Sequence, residues 1–180
     1  MDAAMETKLR ELIDRSEIWQ VMQRYGRGLD RLDVELARSC YFDDAIEDHG
    51  DYVGAPDDFI AWANMTSETF IDYHHGLMNH SCELDGDNAY CETYYLFTGV
   101  ARKAPHLLSM GRYIDHFQKR NGEWRIANRV ALIEKNFELA DASLWPTRSR
   151  ADVPDLPVGT HDRSDVSYHR PPRPRTPPKR

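Results

Sequence analysis

Two polar residues from separate segments are the strongest candidates for chemistry in this sequence. Asp30 closes the stretch Gln23–Asp30, just after two glycines, and His80 lies in a segment, 73–80, that is unusually polar for a strand. A carboxylate that holds one imidazole nitrogen fixes the tautomer and raises the basicity of the other nitrogen. The pair therefore predicts proton abstraction near neutral pH, if the fold brings Asp30 and His80 together in a dry pocket.

The aspartate ends a predicted helix. Apolar residues recur at three- and four-residue intervals over residues 6–29, which is typical of a helix with one buried stripe. Gly26 and Gly28 weaken its last turn, since glycine costs about 1 kcal/mol relative to alanine in a helix, and they leave room for a ligand. A second helix capped by Asp33 and a third that begins at Pro56 complete the helical part.

The histidine falls in the first of four long extended segments. These segments are residues 75–84, 88–103, 107–119 and 123–139, and a short strand at 45–48 precedes them. Turn residues separate them, and Asn121-Gly122 is the strongest short hairpin signal. Helices followed by an antiparallel meander predict an α+β domain, with three N-terminal helices packed on a curved antiparallel sheet. A bent sheet closed by helices encloses a cone-shaped central cavity.

The composition restricts the class of protein. The chain has 180 residues, enough for one domain of ordinary core size, which we place at residues 1–145. Its formal net charge of -7 argues against binding of nucleic acid. Its 3 cysteines form no Cys-x-x-Cys pair, which indicates reduced thiols in a cytoplasmic protein. No apolar run reaches the roughly 20 residues of a membrane span, and no export signal begins the chain.

Residues 146–180 form a Pro/Arg-rich C-terminal tail. Most of the 10 prolines of the chain lie between Pro154 and Pro178, and residues 170–180 carry several positive charges and no acid. Such a segment buries too little apolar surface to order itself alone. Two interpretations stay open. The tail is extended and either disordered or wrapped around a neighbour, or its basic end pairs with the acidic body of another subunit.

Short motifs accompany this layout at the ends of the predicted elements. They are Tyr25-Gly26-Arg27-Gly28-Leu29-Asp30, Phe42-Asp43-Asp44-Ala45, Tyr52-Val53-Gly54, the His80 strand and Asn121-Gly122-Glu123-Trp124-Arg125-Ile126. In this order and spacing, over residues 9–139, the chain resembles the nuclear transport factor 2-like superfamily and, within it, the SnoaL-like enzymes. Members of that group are cone-shaped α+β domains that work without a cofactor, and they include scytalone dehydratase, bile-acid 7α-dehydratase, ketosteroid isomerase and hexachlorocyclohexane dehydrochlorinase.

The resemblance implies four catalytic residues. Asp30 and His80 resemble the aspartate and histidine of the dehydrochlorinase and the bile-acid dehydratase. Tyr25 is similar to a catalytic tyrosine of the bile-acid enzyme, and Arg129 falls where the dehydrochlorinase has a pocket arginine. Thr98 stands near the position at which the bile-acid enzyme has a further aspartate, so this chain departs from the pattern there.

Simple geometry complicates two of these assignments. Tyr25 lies about 140° around an ideal helix from Asp30, so only a distorted last turn lets both face one cavity. Strict alternation along a strand places Arg129 on the face opposite Trp124, so either that face lines the cavity or a bulge intervenes.

Two groups of residues are alternative metal ligands. They are His74, His75, His80 and Glu83, and His49 with Asp48 and Asp51. Metal sites need convergent side chains, whereas His74 and His75 point to opposite faces of a strand. We therefore expect no metal. The absence of a Gly-rich phosphate loop argues against nucleotide cofactors, so we expect no cofactor at all.

These observations predict a cofactor-independent dehydratase, a lyase that removes water from a hydroxylated cyclic, steroid-like ketone. His80, oriented by Asp30, takes the proton and returns it to the departing hydroxyl, Tyr25 hydrogen-bonds the developing oxyanion, and Arg129 stabilises negative charge. Aromatic residues at the cavity mouth suit a hydrophobic polycyclic substrate.

Other functions stay open. A ketosteroid-isomerase-like enzyme would use the same base to move a double bond. A ligand-binding protein, or a subunit like the non-catalytic small subunits of ring-hydroxylating dioxygenases, would bind without turnover. Because many relatives are dimers or trimers, we expect a homo-oligomer that contacts neither nucleic acid nor membrane.

Overall fold

A computed structural model of the protein describes residues 2–140, 159–172 and 174. The helices are α1 (Ala3–Asp30), α2 (Val34–Arg38), α3 (Pro56–Asn64) and α4 (Thr66–Thr69). The strands are β1 (Tyr41–Asp48), β2 (Val53–Gly54), β3 (Phe70–Asp85), β4 (Asn88–Ala101), β5 (His106–Arg120) and β6 (Glu123–Leu139). A short 3₁₀ helix, Val166–Tyr168, follows near the end of the described residues.

The strands form one 6-stranded sheet in the order β2-β1-β6-β5-β4-β3. Strands β3 to β6 form an antiparallel meander, and β1 lies parallel to β6. The helices pack against this curved, unclosed sheet, so the predicted α+β cone fold is confirmed. β3 is an edge strand, and its inner face lies against α1.

Local signals place most element boundaries correctly. Asp33 caps α2 through its side chain, which accepts a hydrogen bond from the backbone N–H of Leu36. Asn121 and Gly122 have φ values of 54° and 81°, the positive pair that a tight hairpin turn requires. Three features differ from the prediction. β3 begins at Phe70, where it pairs with Ala101 of β4. β1 begins at Tyr41 rather than at residue 45, and β2 and α4 were not predicted.

The predicted buried stripe of α1 is wrong for the first half of the helix. Ile18 and Tyr25 are fully buried, whereas Leu12 is 65% exposed and Ile13 is 47% exposed. A helix of 28 residues is about 42 Å long, and residues 3–13 of it are all exposed to solvent. Among the described residues, no helix has the length and the apolar character needed to cross a membrane.

The two glycines near the end of α1 serve packing. A Cβ added at Gly28 would lie 2.6 Å from the backbone N of Ala37, so the contact between α1 and α2 requires glycine. A Cβ at Gly26 would lie 3.7 Å from Leu77 and 3.8 Å from His75. The room at Gly28 is therefore filled by protein. Gly26 lines a groove together with Asp30 and His75, so the expected room for a ligand stays a prediction there.

A bulge in β6 decides where Arg129 points. His116 of β5 pairs with Asn128, but the next residue, Phe117, pairs with Ile126, so Ala127 is an extra residue. The burial pattern accordingly changes phase, with Ile126 buried before the bulge and Arg129 buried after it. The sequence left open whether a bulge intervenes, and one does.

A second bulge in β3 keeps several side chains on the inner face. Leu77 pairs with Tyr95 and His80 pairs with Thr93, so β3 contains one residue more than β4 over this interval. Alternation restarts there, and His80 faces the helix side together with Leu77. His75 and His80, which lie toward opposite ends of β3, therefore both point toward the helices.

Part of the C-terminal tail contacts the body of the same chain. Nη1 of Arg31 donates to the carbonyl of Thr160 at 2.8 Å, and the ring of His161 stacks on Tyr73 at 4.5 Å between centroids. The guanidinium of Arg27 lies 4.6 Å from the ring of Tyr168. The expectation that the basic end, 170–180, pairs with another subunit falls largely outside the described residues.

Candidate active site

A cavity of ≈ 250 Å³ lies between the inner face of the sheet and helices α3 and α4. Its wall is mostly aromatic, from Phe59, Trp62, Phe70, Tyr73, Tyr95, Phe97 and Tyr113. Polar side chains are few and include His49, His75, Asn64, Ser109 and Asn136. A concave apolar site with a few convergent polar groups is what a small-molecule substrate needs.

His75 lines this cavity and is held from behind by Asp30. Nδ1 of His75 lies 2.6 Å from Oδ1 of Asp30, and the backbone N–H of His75 donates to Oδ2 at 3.1 Å. Both side chains are largely buried, at 11% and 13% exposed. With Nδ1–H donating to the carboxylate, Nε2 is the acceptor nitrogen, so the ring is oriented to take a proton.

The predicted contact between Asp30 and His80 is wrong. Nδ1 of His80 lies 2.8 Å from Oγ1 of Thr93, and its ring is 5.0 Å from Trp19. Because β3 runs antiparallel to α1, His80 meets the middle of the helix, and Trp19 is about 16 Å along the axis from Asp30. The aspartate was identified from sequence, but its imidazole partner is His75.

A second carboxylate-imidazole pair lies on the same cavity. Nδ1 of His49 is 2.8 Å from Oε1 of Glu47, a fully buried carboxylate whose other oxygen accepts a hydrogen bond from the hydroxyl of Tyr41 at 2.7 Å. The ring of His49 stacks on Phe59 at 5.0 Å. From sequence, His49 was expected only as an alternative metal ligand. The spacing Glu47-x-His49 at the end of a strand places both side chains on one face, and this spacing could have predicted the pair from sequence.

Arg129 lies in the core beneath the cavity. It is not among the described residues that line the cavity wall. Its guanidinium makes a bidentate contact with Asp115, at 2.6 and 2.9 Å, and both side chains are fully buried. Burial raises the pKa of Asp115, and Arg129 opposes that rise. Nη1 of Arg129 also reaches the hydroxyl of Tyr41 at 3.4 Å. Arg129 is thus linked to the cavity through Tyr41 and Glu47.

Tyr25 shares this buried layer. Its ring lies 4.1 Å from the Arg129 guanidinium and packs edge-on against Tyr113 at 5.5 Å. Burial raises its pKa above the usual range, with Arg129 acting in the opposite direction. Its side chain faces away from Asp30, as ideal helix geometry predicts. The expectation that Tyr25 lines the cavity is therefore corrected, since Tyr113 of β5 occupies that part of the described wall.

Two other tyrosines of the wall offer hydroxyl donors. Tyr73 is 3% exposed. Burial, together with the charge of Asp30, raises its pKa to about 12, so its hydroxyl stays protonated. Burial raises the pKa of Tyr113 well above 10.0 as well. Neither residue was singled out from sequence, because aromatic residues in strands usually signal core packing.

Comparison with known proteins agrees with the architecture. The SnoaL-like domain family matches residues 10–130. Three solved structures illustrate the likeness. A hexachlorocyclohexane dehydrochlorinase from Novosphingobium barchaimii has 20% identity and a TM-score of 0.68, over 78% of this chain and 99% of that chain. A protein from Novosphingobium aromaticivorans, provisionally a scytalone dehydratase, has 17% identity and a TM-score of 0.66, over 72% and 90%. A protein of unknown function from Mycobacterium tuberculosis has 22% identity and a TM-score of 0.63, over 70% and 75%.

At these identities the solved structures establish the fold of the chain and leave its reaction to be argued from the site. The search of curated proteins finds no match.

Proposed function

Because the chain belongs to the SnoaL-like domain family of the nuclear transport factor 2-like superfamily, we propose that it is a cofactor-independent dehydratase whose general base is His75. The contact of 2.6 Å between His75 and Asp30, at the wall of the cavity, is the observation that carries this proposal. It replaces the base predicted from sequence, His80, while keeping Asp30 in its predicted role.

The substrate is a hydroxylated cyclic ketone. Small-molecule sites usually measure about 300 to 1,000 Å³, so the ≈ 250 Å³ cavity favours one or two rings inside it. A steroid-like ketone would place its reacting end in the cavity and leave the remaining rings outside. The aromatic wall supplies the apolar contact that such rings need.

Proton abstraction is the first step. Nε2 of His75 takes the proton from the carbon beside the carbonyl, and the imidazolium that forms is stabilised by the carboxylate of Asp30. Negative charge then develops on the carbonyl oxygen. The protonated hydroxyl of Tyr73 or Tyr113 donates a hydrogen bond to that oxygen in a site with little water.

Loss of the hydroxyl group is the second step. His49, held by Glu47, donates a proton to the hydroxyl on the next carbon, which leaves as water while the double bond forms. Solvent then accepts the proton gained by His75 and supplies a proton to His49 in place of the one it donated. Two imidazoles in different roles explain why one cavity carries two carboxylate-imidazole pairs.

Arg129 and Tyr25 act indirectly in this scheme. Arg129 reaches Tyr41, which donates to Glu47, so the buried cation positions the acid pair. Tyr25 packs against both Arg129 and Tyr113 and supports the wall. Both are positioning residues that touch neither substrate nor reacting atoms.

Two variants of adjacent histidines test the base. Purified His75→Ala, assayed with a panel of cyclic hydroxyketones and mass spectrometry, should lose about 10² to 10⁴ in kcat/KM. The matched control, His74→Ala, removes an exposed imidazole that points to the opposite face and should keep the parent rate. A parent rate in His75→Ala would exclude the proposal, and a product of unchanged mass would identify an isomerase instead.

A second experiment separates the acid from the base. A substrate whose hydroxyl is replaced by a better leaving group, such as acetate, needs little acid catalysis. It should restore most of the activity of His49→Gln and little of the activity of His75→Ala. Equal rescue of both variants would show that His49 and His75 do not have separate roles. Tight ligand binding with no turnover in any assay would favour the carrier function.

A further inference from the structure

Three metal-ligating side chains meet at the other end of β3, away from the cavity. A ring nitrogen of His80 and the Sγ atoms of Cys82 and Cys91 all lie within 4.8 Å of one another. His80 and Cys82 are two residues apart on the inner face of β3, and Cys91 is the direct cross-strand partner of Cys82 on β4. Both thiols are free.

The histidine is held as a metal ligand would be. Nδ1 of His80 is bonded to the hydroxyl of Thr93, a fully buried residue, at 2.8 Å. Such a contact to one ring nitrogen fixes the orientation of the other, as outer partners of metal-bound histidines do. In the part of the chain that the structure describes, Nε2 of His80 is buried and has no hydrogen-bond partner. Buried polar atoms normally have a partner, so this nitrogen is available to bind an ion.

The donor set suits zinc in type and in size. Zinc prefers thiolate and imidazole ligands in a tetrahedron, with Zn–S distances of about 2.3 Å and Zn–N distances of about 2.0 Å. Neighbouring donor atoms in such a tetrahedron lie about 3.5 to 3.8 Å apart. The spread of 4.8 Å or less therefore needs to contract by about 1 Å at most. Two thiolates also balance the charge of the ion.

Access is from the sheet edge. β3 is an edge strand, and Cys82 is only half-buried, so an ion reaches the cluster without passing through the core. On the helix side Trp19 packs on His80, and the guanidinium of Arg15 donates to the carbonyl of Cys82. An ion held by these three donors would take a water molecule as its fourth ligand.

We infer that His80, Cys82 and Cys91 bind one zinc ion that ties β3 to β4 beneath the middle of α1. The ion would take no part in the dehydration. Along β3 it lies about 16 Å from His75, too far for a bound ion to touch a substrate in the cavity. The sequence predicted no metal because the ligands grouped with His80 were all on its own strand. Cys91 comes close to His80 only through the pairing of β3 with β4.

Cobalt titration of the full chain tests the site. Chelator-treated protein with reduced thiols should take up one Co²⁺ per chain, with the thiolate charge-transfer and visible bands of a tetrahedral site, and Zn²⁺ should displace it. Cys82→Ser with Cys91→Ala should abolish these bands. The exposed neighbour His74→Gln is the matched control and should bind normally.

A milder variant keeps the test valid if the double variant fails to fold. Thr93→Val removes only the hydroxyl that holds Nδ1 of His80 and should weaken metal affinity about 10- to 100-fold. Zn²⁺ should raise the Tm of the parent chain and leave that of the double variant unchanged.

Two results would overturn the inference. One is a fully reduced parent chain that shows no cobalt bands. The other is binding that persists unchanged in the double variant, which would place the metal elsewhere. If the native chain has a Cys82–Cys91 disulfide and its reduction gives no cobalt bands, the inference is overturned in the same way as by the first result. Because these readouts are spectroscopic and thermal, they stand independently of the dehydratase assay.

Discussion

The two ends of β3 present the same residue type to the same side of the sheet, yet different groups face them. At the cavity end, His75 meets a carboxylate at the last turn of α1. At the far end, His80 meets a tryptophan in the middle of that helix and two thiols from the sheet. An imidazole beside a carboxylate is suited to act as a base, whereas an imidazole beside two thiols is suited to bind zinc together with them. The opposing element thus decides the chemistry of each histidine.

The largest effect should come from the carboxylate that distinguishes the cavity end. Asp30→Asn keeps the shape of the side chain but removes the charge that orients His75 and stabilises its imidazolium, so kcat/KM should fall about 10²-fold or more. Steady-state kinetics of the dehydration measure it. A value within twofold of the parent would mean that the two ends of β3 do not differ as proposed.

The next effect concerns the buried ion pair that lies beneath both ends. Arg129→Met leaves Asp115 as an uncompensated buried charge and should lower the free energy of unfolding by about 3 to 5 kcal/mol. Urea denaturation measures it. Adding Asp115→Leu should restore much of the loss, and a double variant as unstable as the single one would contradict this explanation.

An exposed ion pair is the control for that prediction. Arg112 contacts both Glu92 and Glu134 on the outer face of the sheet, where all three side chains reach solvent. Its replacement by methionine should cost about 1 kcal/mol or less.

A smaller effect on catalysis should separate the two histidines of the inner face. His80→Ala removes the metal ligand, so zinc should no longer raise the Tm, while kcat/KM should fall much less than in Asp30→Asn. Parallel melting curves and kinetics measure both quantities. A loss of activity as large as that of Asp30→Asn would return His80 to the role that the sequence predicted.

The smallest effect is a pH dependence of the stability contributed by Asp14. This residue of α1 accepts hydrogen bonds from Lys119 of β5 at 2.7 Å and Trp124 of β6 at 2.8 Å. Burial alone would raise the pKa of Asp14, but these bonds and the lysine charge outweigh it and lower the pKa. A carboxyl whose pKa is lower in the folded state stabilises the fold above its unfolded pKa of about 3.9. That stability is lost as the pH falls through the folded pKa.

Asp14→Asn should therefore cost about 1 kcal/mol at pH 7. The difference between parent and variant should shrink as the pH falls below the unfolded pKa and through the lower folded pKa. Denaturation at several pH values measures it, and a difference that does not change with pH would exclude the charge as its cause.

Several features of the molecule followed from the sequence alone because their signals are local. The apolar period of α1, the cap at Asp33, Pro56 at the start of α3 and the Asn121-Gly122 turn each depend on a few neighbouring residues. The family resemblance rested on motifs at those same boundaries and is confirmed. Asp30 was placed at the end of α1 for the same reason, since the helix end is readable from its glycines, and its catalytic role stays a prediction.

The partner of Asp30 was decided only by the tertiary structure. The antiparallel course of β3 along α1 brings His75 to the aspartate and His80 to Trp19. Bulges reset strand alternation, and nothing local in the sequence marks the extra residue at Ala127 that turns Arg129 inward. Helix period and turn chemistry are properties of short segments, whereas contact between distant side chains depends on register across the whole sheet.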